Sequence, residues 1–211
     1  VRSKSHPPLP RPSGEYKTKF MPLDKKYFNQ VRQELLDYSA KRRGIIKDAG
    51  DAQFLAKKAI FAMQRDDTSE AKNYLSQAEK ILLDLNKKNE KDLGIFEEGS
   101  YKAALEEFVE ASIFNQYLQK KTIGKLPKIT VDSDIFIGGL CDVPGELLRY
   151  AIKSATEKKF EEVKKCRLAA DEIITELVDM NLTGYNRQKF DQAKQALHKL
   201  EQVLYEVSIR Q

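Results

Sequence analysis

A chain of 211 residues, 41% hydrophobic and 33% charged, can bury one substantial core and leaves little room for a second full domain. It holds no uninterrupted apolar run near the eighteen or so residues of a membrane span, and its two isolated cysteines, Cys141 and Cys166, supply neither a disulfide framework nor a zinc site. The net charge of +5 invites a nucleic-acid reading only until it is located: residues 1–20 hold Arg2, Lys4, Arg11, Lys17 and Lys19 against Glu15 alone, so the remaining body is nearly neutral.

The same tail carries Pro7, Pro8, Pro10 and Pro12 and few large aliphatics. It reads as disordered, or as sequence added ahead of a natural start at Met21, with residues 21–211 as a single helical domain. No short apolar segment follows the basic stretch as in a signal peptide, so the cytoplasm is the expected location.

From Asp24 onward, apolar residues recur three and four apart with no sustained two-residue alternation, which predicts an all-α chain. A first helix is expected over 24–65, carrying Phe28, Val31, Leu35, Leu36, Ile45, Ile46, Phe54, Leu55, Ile60, Phe61 and Met63, with Gly44 and Gly50 as points of weakness. Asp67 and Thr68 offer N-cap oxygens for a second helix to about residue 88. A third is expected over 92–121, and the Gly- and Pro-containing stretch 122–131 reads as a loop. Asp132 or Ser133 can cap a fourth helix to about 154. A fifth follows over 157–180, the segment 181–186 punctuates, and a last helix places Phe190, Ala193, Ala196, Leu197, Leu200, Leu204 and Val207 on one packing face. Both cysteines fall inside apolar helical patterns and read as small core residues.

Chemistry-bearing residues concentrate in the third and fourth helices. Glu107 and Glu110, three apart beside Glu106, project from one face. Asp142 and Glu146, four apart, lie in Gly139-Leu-Cys-Asp-Val-Pro-Gly-Glu-Leu-Leu148 among strongly apolar neighbours. Ionised carboxylates in such surroundings are costly unless paired, hydrogen-bonded or bound to metal. If the two helices pack side by side, the four acids converge into an all-oxygen cluster suited to Mg²⁺ or Mn²⁺. Two such ions activate water and stabilise the leaving oxygen in phosphodiester hydrolysis. No histidine is needed, and only His6 and His198 exist. A ferritin-like di-iron centre, which wants a Glu-x-x-His pair from each of two helices, is not indicated.

The run Glu107-Phe-Val-Glu-Ala-Ser-Ile-Phe114 and the run Gly139-Leu-Cys-Asp-Val-Pro-Gly-Glu-Leu-Leu-Arg149 resemble segments of the translin family, and within it the catalytic type, translin-associated factor X. Weaker similarity covers Lys57-Lys-Ala-Ile-Phe61 with Arg65, and the closing Tyr205-Glu-Val-Ser-Ile-Arg210. The resemblance implies a translin-like bundle of six to seven helices that assembles into hollow octamers with RNA or single-stranded DNA held inside. It further implies a Mg²⁺-dependent endoribonuclease centre at Glu107, Glu110, Asp142 and Glu146. With the acids and a translin-like C-terminus on one chain, a self-sufficient homo-oligomer of a microbial relative is expected. Pro144 departs from the family pattern: inside a helix a proline costs roughly 3 kcal/mol, and a kink there would re-aim Asp142.

Phosphates beside an acidic cluster need basic neighbours. Arg149, Lys57, Lys58, Arg65 and Lys153 are the candidates, with Lys120 and Lys121 as further lysines, against internal salt bridges or plain solvation. Tyr101, Phe108, Phe114 and Tyr117 offer rings for base stacking but sit at core-like spacing. Three functions compete. The first is a metal-dependent endoribonuclease acting on single-stranded or imperfectly paired RNA. The second is a non-catalytic RNA- or single-stranded-DNA-binding shell like translin. An all-helical nucleotide pyrophosphatase is third, and the 32-residue gap between Glu110 and Asp142 fits it less well.

Overall fold

The computed structural model describes residues 22–88 and 98–209. Among them are six helices and no strand: α1 Lys25–Gln64, α2 Thr68–Lys88, α3 Gly99–Leu118, α4 Ser133–Thr156, α5 Phe160–Val178 and α6 Gly184–Ser208. The 1–20 tail and the first residues expected of the third helix lie outside the described residues. The chain divides into two units, Val1–Ser39 and Ala40–Gln211, with the division inside α1.

In the first unit, Asp24 starts α1: its Oδ1 accepts from the Lys26 and Tyr27 backbone N–H groups at 3.0 and 3.1 Å. This satisfies two of the donors that a helix start leaves open. Phe28, Leu35 and Leu36 are exposed.

In the second unit, α1 passes through Gly44 and Gly50 unbroken. Its buried face is a run of alanines (Ala49, Ala52, Ala56, Ala59 and Ala62) together with Ile45, Ile60 and Met63. Phe54 and Phe61, expected in the apolar pattern, are 61% and 54% exposed, and Ile46 is also exposed. Small side chains at a helix contact allow a short interaxial distance, so this helix buries its alanines and leaves the rings outside.

α2 begins as expected, with Asp67 Oδ1 accepting from the Glu70 N–H at 2.9 Å. The loop after α3 is tied down by buried Leu126 and Ile129 and by Gln116, whose Oε1 accepts from the Gly124 N–H at 2.9 Å. Asp132 precedes α4, but its side chain makes no capping hydrogen bond. α4 packs against α3, α5 and α6, α5 against α6, and α2 against α3. Leu147, Leu177, Leu200, Phe114 and Tyr101 are among the fully buried residues. Cys141 and Cys166 are buried and free.

Two features of α4 set up the site. A Cβ built on Gly139 would lie 2.5 Å from the Glu106 carbonyl oxygen and 2.7 Å from Val109 Cβ, so only glycine permits this approach of α4 to α3. Pro144, buried inside α4, does not end the helix, which runs on to Thr156. Asp142 and Glu146 therefore lie on one continuous helix.

Candidate metal and nucleic-acid site

The close seam at Gly138 and Gly139 brings the acid run of α3 against the acids of α4. Glu110 is buried, at 8% exposure. Burial pushes its pKa up to about 9, and the negative charges of Asp142, Glu107 and Glu146 push in the same direction. The two acid-bearing helices pack against each other, and the charges of the other three acids reach Glu110. Glu107 is also raised by burial, with Lys57 and Gln53 opposing. Asp142 is raised by burial while Lys189 restrains it.

The seam also recruits partners from α1 and α6. Lys57 Nζ lies 3.5 Å from Glu107. Gln64 Nε2 donates to the Glu146 carboxylate at 2.8 Å and to its carbonyl at 3.0 Å. Arg149 pairs with Glu146 at 3.3 Å and lies over the Phe61 ring at 5.6 Å. From α6, the Lys189 ammonium donates to both Glu106 and Asp142, and to the Gly138 carbonyl at 3.4 Å. The Tyr185 hydroxyl donates to Glu106 at 2.9 Å. Burial works against the Lys189 ammonium, yet the bonds to Asp142 and Glu106 outweigh it and leave its pKa above the usual lysine range. A cleft of about 340 Å³ opens here, lined by Gln53, Glu106, Glu107, Asp142, Tyr185 and Lys189 among others.

Of the basic residues singled out from sequence, Lys57 and Arg149 reach the acids. Three others are engaged elsewhere. Lys58 sits over the rings of Tyr74 and Phe54, at 4.6 and 5.3 Å. Arg65 pairs with Glu70 at 3.2 Å. Lys153 bonds Asp66, which also accepts from the Tyr150 hydroxyl at 3.1 Å. Tyr101, Phe108 and Phe114 are buried, and Tyr117 is half-buried with its hydroxyl 3.3 Å from Cys166 Sγ. The rings of Tyr101, Phe108 and Phe114 are closed to a base.

Sequence reading missed Lys189, Tyr185, Gln64 and Gln53. Lys189 lies 47 residues from Asp142 and 83 from Glu106, and no short-range spacing rule links them. The donor set is four carboxylates, which in kind suits a hard divalent cation. As the side chains stand, no group of three or more His, Cys, Asp or Glu residues is arranged to hold a metal ion among the described residues. Lys57 pairs with Glu107, Arg149 with Glu146, and Lys189 with both Glu106 and Asp142, while Glu110 has no hydrogen-bond or ion-pair partner among the described residues and its pKa is raised by burial.

Residues 40–211 match the model of the Translin family. No curated protein matches the chain significantly. Among solved structures, AfC3PO aligns with a TM-score of 0.80 at 20% identity, over 88% of this chain and 98% of that one. Apo-NeC3PO gives 0.78 at 20% identity over 89% and 100%. AfC3PO in its complex with duplex RNA gives 0.79 at 19% identity over 88% and 98%.

Proposed function

This chain belongs to the translin family, and we propose that within it the chain is a Mg²⁺-dependent endoribonuclease that cleaves single-stranded or imperfectly paired RNA. The observation that carries the reading is Glu110: a buried carboxyl with no ion-pair partner among the described residues, whose pKa is pushed up by burial and by the charges of three further acids of α3 and α4. Folded chains seldom leave such a group without a cationic partner unless it serves a ligand. The likeness in fold to a protein crystallised with duplex RNA supports RNA as the polymer.

Glu107, Glu110, Asp142 and Glu146 would hold Mg²⁺, or Mn²⁺, which when bound supplies an activated water and neutralises charge developing on a phosphodiester. The remaining roles fall to this chain's side chains. Glu110 would give up its proton to serve as a ligand. Gln64 orients Glu146 through its Nε2 donor. Lys189 fixes Asp142 from behind. Lys57 and Arg149, both about half exposed, offer their charges to phosphates on the rim. The same reading places the chain in a hollow homo-octamer in the cytoplasm, enclosing RNA or single-stranded DNA, and the mass of the native particle tests that assembly.

The decisive experiment incubates purified protein with labelled RNA and Mg²⁺. Losing a ligand costs at least the roughly 100-fold that losing a supporting hydrogen bond can cost, so Glu110→Gln and Asp142→Asn should abolish cleavage at that scale. Full activity in either variant removes the proposed site. A second reading draws on the pairing of Glu107, Asp142 and Glu146 with Lys57, Lys189 and Arg149: a non-catalytic binding shell whose acids serve packing. It expects RNA binding that persists in EDTA and no Mg²⁺-dependent product. Hydrolysis of free nucleoside triphosphates with RNA left intact would instead revive a pyrophosphatase.

A further inference from the structure

Phe54 and Phe61 are large apolar side chains more than half exposed on a helix whose neighbouring residues reach the acid cluster. Gln53, beside Phe54, lines the same cleft as Glu107. Lys57, between the two rings, is 3.5 Å from Glu107. Arg149 links Phe61 to Glu146, with its guanidinium 5.6 Å from the ring and 3.3 Å from the carboxylate. Each ring also carries a cation, since Lys58 lies 5.3 Å from the centre of Phe54. Seven residues make two helical turns, so both rings share a face and stand about 10 Å apart along the axis. That exceeds the roughly 7 Å at which two rings would sandwich one base at ordinary 3.4 Å stacking.

We infer that Phe54 and Phe61 form a stacking platform that takes two separate unpaired bases of a single strand, and so presents the intervening backbone to the acids. This rests on the nuclease reading above for its purpose, though not for its binding. Every base has a π-face, so such a platform tolerates sequence but requires bases that are out of a duplex stack. The cations on and between the rings match a polyanion.

The test uses the full chain in EDTA, a fluorescent 12-nucleotide single-stranded RNA containing 2-aminopurine, and the same sequence as a duplex. Phe61→Ala and Phe54→Ala should each weaken single-strand binding by roughly 5- to 100-fold and remove the 2-aminopurine quench. Phe61→Trp should keep both. Duplex affinity should change less than about twofold, and the native particle mass should not change. Both rings are exposed, so the variants should melt near the wild-type temperature. Equal losses for both RNAs, no loss for either, or a loss that tracks a change in particle mass would each overturn the platform. Wild-type protein that cuts RNA while the alanine variants bind normally sinks the platform alone. Ring-dependent binding without any Mg²⁺-dependent product sinks the nuclease reading and leaves the platform standing.

Discussion

The two ends of the α3–α4 seam, one helical turn apart, solve the same problem in opposite ways. At Glu106 the carboxylate meets Lys189 and Tyr185 from α6, and the internal ammonium reaches across to Asp142. At Glu110 no ion-pair partner stands among the described residues, and burial and the acid charges around it push its pKa up, with only the charge of Lys189 opposing. A lysine anchored in its own helix cannot leave when a ligand comes. A proton can. The seam thus has a permanently compensated end and an exchangeable end, and the second is where an external cation gains most.

The largest effect expected from breaking this contrast lies at Glu110. Its folded pKa of about 9 stands far above the ordinary 4.5, so between those values the folded state keeps a proton that the unfolded state has released. Metal-free stability should therefore fall as pH rises through that window, by at most about 1.4 kcal/mol per pH unit for one proton, and flatten above it. Glu110→Gln mimics the neutral acid and should remove the slope, leaving the variant more stable than wild type at pH 8. Urea midpoints from pH 5 to 9 in EDTA check this; parallel profiles for the two proteins would show that Glu110 is ionised and paired.

A smaller loss is expected at the compensated end. Lys189→Met leaves Glu106 and Asp142 without their shared cation, and orphaning a largely buried charge costs about 3 kcal/mol. Lys189→Arg keeps the charge and should recover part of that. Chemical denaturation at pH 7 measures both. If Met is tolerated at no cost, the two ends are not electrostatically distinct.

Much of this seam was legible from the primary structure, and its limits are physical. Helix positions followed from 3.6-residue periodicity, and Asp67 was readable as a cap because capping is local. The acid pairs 107/110 and 142/146 were visible because three- and four-residue spacings fix a shared face. The inward face of α1 was not readable in the same way. Periodicity weights large apolar residues, whereas this helix buries Ala49, Ala52, Ala56 and Ala59 and turns Phe54 and Phe61 outward. Lys189 was invisible because its partners are joined to it only by tertiary packing. Pro144 lies inside α4, which runs through it as the sequence pattern expected.

The smallest effects separate the basic residues into two groups that sequence alone treated as one. Lys57 lies at the acids, whereas Lys153 is engaged by Asp66 and, at 3.9 Å, by Glu157. A lysine that contacts a phosphate contributes about one unit to the salt dependence of RNA binding. Lys57→Ala should therefore lower affinity and reduce the slope of log affinity against log salt by about one. Lys153→Ala should leave that slope unchanged and cost no more than about 1 kcal/mol of stability, the scale of a largely exposed ion pair. Titrations in EDTA at several salt concentrations compare the two directly. Equal slope changes would mean that bound RNA runs past Asp66 as well as past Glu107.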